Sequence, residues 1–479
     1  MDNPVRDQPS IDQIQIKQSR KTAFQPSLKN RVVLILLVVL FSGNFAYNRS
    51  RAAPNLRLDD LPLLSLNGVH RLLVIAPHPD DETLAAGGII QQALAAGLDV
   101  KVFVVTNGDG QALAPLALHM DLLPRPKDYI ADGKQRQIET LKSLRSLGLP
   151  SSAISFLDYP DGQLNQLWLD NWTSACPLHA RFTRSTRSPY PNTDSMEKSY
   201  CGKNLISELQ ANLEEFKPDL ILLPHPNDEH ADHRATTSFM MMALTLERNH
   251  NPEYKPTVMG YLVHYGFFPQ PRGWHQASVV LPPVSLSGAE NKWKRIDLTP
   301  DQIKIKGQAI RAYSSQLRLL GSFLPSFARS DEIFAIVDIL DISPLAFNSL
   351  SLSESGMIQS PTFPEPIEES ARQFVIGGAD LVSLNVARLG SHLWLTAETR
   401  SPLLPGLKYR LRVKLSDGET RVVTWPGSAI RTGSSTYSLQ INLDDISNVY
   451  ALGFAADVQQ GMTLDRTGWH FMVLRDRIP

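Results

Sequence analysis

The amino-acid sequence predicts an α/β protein: a Rossmann-like, mainly parallel sheet between helix layers, followed by an all-β, sandwich-like region. Three observations carry this. From residue 71 to about 225, short apolar runs alternate with longer helical stretches. Beyond about residue 371 only short alternating runs remain, among them "HLWLTAET", "KYRLRVKLSD", "TRVVTW" and "YSLQINL". With 42% hydrophobic and 20% charged residues, the 479-residue chain can bury a sizeable core, and its length suits two or three domains.

In chain order, residues 1–30 are polar, with Lys17, Arg20, Lys21 and Lys29, and Arg31 stands just before the uncharged run Val32–Tyr47. As a helix this run spans roughly 24 Å, a little short of the roughly 30 Å hydrocarbon core. It is apolar on every side and precedes the first domain signal, which argues against a soluble core helix. A cleaved signal peptide and an uncleaved anchor remain. The long basic segment and the lack of an A-x-A site favour a transmembrane signal-anchor over 31–48, with 1–30 as a cytoplasmic tail. The bulk of the chain is then extracytoplasmic, or secreted if the segment is cleaved.

The runs at 72–76, 100–106, 154–159 and 220–224 read as buried strands. Helices are expected over 83–97, 134–147, 203–216 and 232–248, which gives right-handed crossovers and a parallel sheet. The Ser- and Pro-rich segment 341–370 reads as a linker between a domain at 70–340 and a β-rich accessory domain at 371–479. Carbohydrate binding, spacing and packing are all open to that last domain.

Net charge is −1 and the pI about 6.9, so no basic field points to nucleic acid. The two cysteines, Cys176 and Cys201, bracket a polar insert that they could staple in an oxidising compartment; two unpaired thiols are the alternative. Neither lies in a C-x-x-C pattern, which speaks against a cysteine zinc site.

Two clusters carry the chemistry. "LLVIAPHPDDE" runs from the first strand into His78, Asp80, Asp81 and Glu82. "LLPHPNDEHADHRATT" runs from the fourth into His225, His230, Asp232 and His233. Both stand at strand-to-helix turns, the edge where open α/β sheets place ligands. Helix capping could explain one acid of the first cluster, but not three acids beside a histidine. A cation compensates such a cluster, and imidazole with carboxylate is a zinc-binding set.

These motifs closely resemble the paired signatures of the PIG-L-type (LmbE-like) zinc-dependent de-N-acetylases, over roughly residues 70–340. "FVVTNGDG", "RQIE", "FLDYPDGQL" and "KGQAIRAYSSQ" follow in the family's order. The resemblance implies zinc on His78, Asp81 and His233, with Asp80 as general base. It implies a protonated His230 stabilising the oxyanion, and Asp232 orienting or tuning a neighbouring histidine. Arg136 and Asp161 match sugar-contacting positions, although a solvated helix residue and an ordinary turn explain them equally well. His225 reads as a supporting or structural residue, with a ligand role left open, and His264 as structural. Asp228 stands where some members carry a tyrosine, and Trp168 and Trp172 lie in the long insert at 162–203, where packing is the usual role.

The function implied is zinc-dependent deacetylation of an N-acetylated amino sugar (a glycan, glycolipid or glycoside of N-acetylglucosamine type), releasing acetate. The alternative is a non-catalytic, membrane-anchored envelope protein that binds glycan on a metal-bearing scaffold. A dinucleotide-binding protein is excluded, because no G-x-G-x-x-G follows the first strand.

Overall fold

A computed structural model describes residues 57–474, apart from 112–113, 116–119, 121–122, 192–197, 289–290, 343–361, 367–372, 374–375, 390, 427–432 and 447. The apolar run Val32–Tyr47 therefore lies outside the described residues. Among those described, no helix is long and apolar enough to cross a membrane.

The order begins β1 (Arg71–Ala76), α1 (Asp81–Ala95), β2 (Asp99–Thr106), α2 (Pro126–Ser146), β3 (Ile154–Tyr159) and α3 (Leu164–Leu169). It continues through α4 (Gly202–Phe216), β4 (Leu220–Pro224), α5 (Ala231–His250) and β5 (Thr257–Tyr261). Then come β6 (Trp293–Asp297), α6 (Pro300–Arg311), α7 (Ser314–Leu320) and β7 (Asp331–Ile336). The strands form one seven-stranded sheet in the order β3-β2-β1-β4-β5-β7-β6. The first five are parallel; β7 runs antiparallel to both β5 and β6, so the sheet is mixed at that edge.

Side chains of β1 alternate between two cores. Leu73 and Ile75 pack with Leu209, Phe239 and Met240 on one face, and Leu72 and Val74 with Ile89, Leu144 and Ile310 on the other. A strand covered on both faces reads as an unbroken apolar run, which is why "LLVIA" shows no alternation. The chain leaves β1 for β2 on one side, while β4 pairs with β1 on the other. The boundary between β1 and β4 is thus the topological switch point of the sheet, and it receives both motifs.

The C-terminal strands form two sheets. One holds β9 (Thr362–Pro364), β10 (Leu381–Leu389), β11 (His392–Thr399) and β14 (Thr436–Asn442). The other holds β8 (Leu340–Ile342), β12 (Lys408–Leu415), β13 (Thr420–Pro426), β15 (Ala451–Gln460), β16 (Met462–Arg466) and β17 (His470–Leu474). They share a core of Leu384, Val386 and Leu395 against Leu411, Val413 and Phe454, a sandwich.

Residues Arg51–Pro479 form one unit, and the seam between its α/β and β parts is aromatic. Trp168 on α3 is fully buried, with ring centroids 5.1 Å from Phe239, 5.5 Å from Trp469 and 6.1 Å from Phe471. Lys414 Nζ of β12 stands 3.9 Å from the Trp172 ring centroid. The two tryptophans of the insert therefore join the halves of the molecule. Cys176 and Cys201 are free thiols, one exposed and one buried, so the staple is not formed. Main-chain hydrogen bonds close the insert instead: Leu178 N–H to Tyr200 carbonyl (2.8 Å) and Gly202 N–H to Asn171 carbonyl (2.9 Å).

Candidate metal and catalytic site

Each acid after β1 has a separate task. Asp80 occupies the position before α1 with φ +127°, and its side chain caps nothing. Holding a non-glycine residue at positive φ costs about 1–3 kcal/mol, which the surroundings must supply. Glu82 accepts from the Asp80 N–H at 3.1 Å and takes hydrogen bonds from Thr83 and Tyr313, fixing the turn from below. Arg136 of α2 fixes it from the side, donating to the Pro79 carbonyl at 2.8 Å and to Asp80 Oδ2 at 3.3 Å. Its other terminal nitrogen donates to the Gly108 carbonyl at 3.1 Å. Beside Arg136 opens a cavity of 350 Å³ bordered by Gly108, Asp132, Glu139, Ser314 and Ser315.

Asp81 faces the opposite way. Its Oδ2 lies 3.2 Å from His78 Nδ1 and 3.1 Å from His233 Nε2, so one carboxylate bridges the two motifs. His78 Nε2 stands 3.2 Å from Asp161 Oδ1 and 3.5 Å from Asp232 Oδ2. Asp161 also accepts from the Gly110 N–H (2.8 Å), and Asp232 from the N–H groups of Gly162 (2.6 Å) and Leu164 (3.0 Å). Asp161, read from the resemblance as a sugar contact, sits against His78. Arg136, its companion in that reading, is buried and grips Asp80.

Donor atoms of His78, His230 and His233 lie within 4.8 Å of one another. So do those of Asp81, His233 and His264, and those of His78, Asp161 and Asp232. His78 Nε2, both His233 nitrogens and Asp81 Oδ1 are buried with no hydrogen-bond partner, although carboxylate oxygens stand close to the histidine nitrogens. Buried polar atoms left this way are costly unless something else satisfies them. Convergent nitrogen and oxygen donors of this kind suit a zinc ion. No metal is present in this structure, so the fit rests on these donors.

The electrostatics point the same way. Burial alone would raise Asp81, but the His233 and His78 imidazoles hold its carboxyl well below the usual range. Burial opposes charge on His233 as well, yet Asp228 and Asp81 push it up to about 9. Without a cation the acids draw protons onto the histidines, and a bound metal would displace them. Burial raises the Asp80 carboxyl to about 8, against the pull of Arg136 and with the push of Asp81 and Glu82.

His230 differs from the protonated form implied by the resemblance. Burial and the neighbouring His78, His233 and His264 rings push it down to about 3, so it is neutral near pH 7. Its Nδ1 accepts from the Asp232 N–H at 3.3 Å, which leaves the hydrogen on Nε2.

Sequence reasoning undervalued two residues. Asp228 is fully buried, 3.3 Å from His233 Nδ1, and accepts from the N–H groups of His230 (2.9 Å), Val263 (3.1 Å) and His264 (3.0 Å). It orients His233, while Asp232, expected to orient or tune a neighbouring histidine, stands beside His78. His264 lies with its ring 4.8 Å from His233 and 5.1 Å from His230. The usable signal was the apolar run before His264, which marks the carboxyl end of β5, the neighbour of β4. His225 is structural, stacked on Trp293 with Nδ1 accepting from the Asn227 N–H.

Comparison with known proteins gives consistent results. Over 270 residues the chain is 28% identical to a 1D-myo-inositol 2-acetamido-2-deoxy-alpha-D-glucopyranoside deacetylase of Mycobacterium sp. (strain KMS), covering 54% of this chain and 77% of that protein. Among solved structures, N,N'-diacetylchitobiose deacetylase from Pyrococcus horikoshii aligns at 18% identity and TM-score 0.35, covering 70% of this chain and 99% of its own. Teicoplanin deacetylase Orf2 aligns at 20% identity and TM-score 0.35, covering 56% and 97%. The family profile described as GlcNAc-PI de-N-acetylase matches residues 73–244. Residues 73–244 are therefore a PIG-L family domain.

Proposed function

We propose that this protein is a zinc-dependent amidohydrolase that removes the acetyl group from an N-acetylglucosamine-type glycan, glycolipid or glycoside. The observation that carries the reading is the division of labour between adjacent acids. Asp81 turns to His78 and His233, while Asp80 is turned away from them to Arg136. A non-catalytic scaffold has no use for a strained, separately held carboxylate beside a metal-ligating set.

His78, Asp81 and His233 would hold the ion, with Asp161, Asp232 and His264 close by. Zinc supplies a Lewis acid and lowers the pKa of water. Asp80, whose carboxyl a cation held beside it would lower from about 8, takes the proton of the water that adds to the acetamide carbonyl. The neutral His230 donates its Nε2 hydrogen to the developing oxyanion, a contribution of about 2.7–4 kcal/mol for one such donor. When the C–N bond breaks, Asp80 passes its proton to the leaving nitrogen, giving acetate and a free amine.

The test is acetate release from a panel of N-acetyl sugars by the full chain, stripped of metal and then titrated with zinc. Release that requires zinc and vanishes in Asp80→Asn supports the reading; zinc binding without release from any N-acetyl sugar favours the glycan-binding scaffold. On sequence grounds alone we also place this domain outside the cytoplasmic membrane, anchored through residues 31–48. Protease digestion of intact cells tests that placement, and a protected chain counts against it.

A further inference from the structure

A cavity of 580 Å³ lies outside the catalytic cluster, at the seam with the β region. One wall is Asn227, Glu229, Arg234 and Tyr265; the other is β16 with the turn that leads from it to β17, carrying Thr463 and Arg466. A recess of 150 Å³ shares Arg234, Thr463, Arg466 and Thr467 and runs on to Asn165 and Arg412. The 580 Å³ of the main cavity is in the range of ligand sites, roughly 300–1,000 Å³.

The lining is mixed in sign, with Arg234 and Arg466 set against Asp228, Glu229 and Asp465. That balance suits neither a polyanion nor a polycation. Amide, hydroxyl and guanidinium donors alternate with carboxylate and hydroxyl acceptors around one tyrosine, which matches a neutral polyhydroxylated ligand.

The groove is also built and placed. Asn227 Nδ2 donates to Glu365 Oε2 at 3.3 Å, and Glu365 Oε1 lies 2.8 Å from His470 Nε2, clamping the catalytic loop to β17. Gly468 packs so closely that a Cβ there would sit 3.0 Å from Pro226 Cβ. Two lining residues are chain neighbours of the catalytic cluster. Glu229 precedes His230 and Tyr265 follows His264, whose rings are 5.1 Å apart. Consecutive Cα atoms are about 3.8 Å apart, so the groove begins within one residue of the cluster.

We propose that this groove is a subsite for sugar units beyond the one that reacts, with Arg466 as a specificity-determining residue. The β region then selects an oligomeric neutral glycan of N-acetylglucosamine type over a free monosaccharide. This rests on the deacetylase reading for the identity of the sugar.

The experiment is calorimetric binding of N-acetylglucosamine and its β-1,4-linked dimer and tetramer to zinc-loaded, full-length Asp80→Asn. It is repeated with Arg466→Ala and with Thr463→Ala added. Both side chains are exposed, so folding should survive, and unchanged melting temperatures would verify it. The expected result is at least tenfold tighter binding of the tetramer than of the monomer, with most of that gain lost in Arg466→Ala. Equal affinity at every length, no tetramer binding, or a tetramer affinity that neither substitution alters would overturn the subsite. Acetate release by the unsubstituted chain separates the two readings. Release without length dependence leaves the deacetylase and removes the subsite. Arg466-dependent binding without release does the reverse.

Discussion

Arg136 Nη2 lies 3.3 Å from Asp80 Oδ2 while donating to the carbonyl of Pro79, so one guanidinium grips both the strained turn and the carboxylate it presents. The site depends on that grip, because Asp80 has no capping bond of its own to hold its direction.

Asp80→Asn should retain zinc at parental stoichiometry and lose turnover by about 10²–10⁴-fold, the usual contribution of a positioned general base. Metal analysis and acetate release on the same sample check this. An active Asp80→Asn enzyme would remove Asp80 from the mechanism.

Replacing Arg136 by Met should lower kcat by roughly one to three orders of magnitude without displacing the metal, since misplacement of a reacting group by about 1 Å costs about 10²-fold. Gly108→Ala should do the same from the other side. Its Cβ would fall on the Arg136 guanidinium, and its φ of +65° disfavours any side chain. Steady-state kinetics with zinc counted in parallel reads both; unimpaired kcat in the two variants refutes the coupling.

Zinc binding to the stripped protein at pH 7 should release roughly two protons, because His78 and His233 are both raised in the metal-free protein and must deprotonate to ligate. Calorimetry in buffers of different ionisation enthalpy measures the number. In His233→Ala the high-affinity phase should disappear, and a mutant that still takes up one tightly held ion would relocate the site.

Lys414 gives the clearest pH dependence of stability. Burial pushes its ammonium down to about 7, with Asp417 and Asp170 opposing, while the unfolded chain keeps a lysine's ordinary value of 10.5. Between those values the unfolded chain holds a proton that the folded one has released, so stability from this residue rises with pH, and below about 7 the cost of the buried charge is fully present. The melting temperature of the parent should therefore gain a few degrees on Lys414→Met between pH 7 and 9.5. Parallel curves would show that Lys414 titrates normally.

Trp168→Ala should cost about 3–5 kcal/mol, as removal of a large buried ring does. The ring touches both the α/β helices and β17, so unfolding of the parent should be a single calorimetric transition. Splitting into two transitions in the variant would locate the seam at this residue, and a variant as stable as the parent would contradict the packing.

Much of the fold was legible because its signals are local. Strands β3 and β4 fall at the predicted residues, since a buried parallel strand is a short apolar run bounded by turn residues. Helix α2 starts earlier than expected, at Pro126, because proline at the first turn suits a helix and the residues before 134 are too polar to show periodicity. The antiparallel β6 and β7 were not anticipated; their pairing spans the helices between them, and no short-range pattern records it.

By itself, the sequence determined the fold class, the sheet edge and the chemistry of the two motifs. These follow from apolar runs ending in charged residues, which act over a few positions. Tertiary structure decided how the acids divide their work. Asp80 goes to Arg136 from 56 residues away, Asp81 to His233 across the sheet, Asp161 to His78, and Asp228 to His233. It also decided that Trp168 and Lys414 meet at a seam and that a groove opens beside it. Such pairings depend on which strands become neighbours, and distance along the chain carries no trace of that choice.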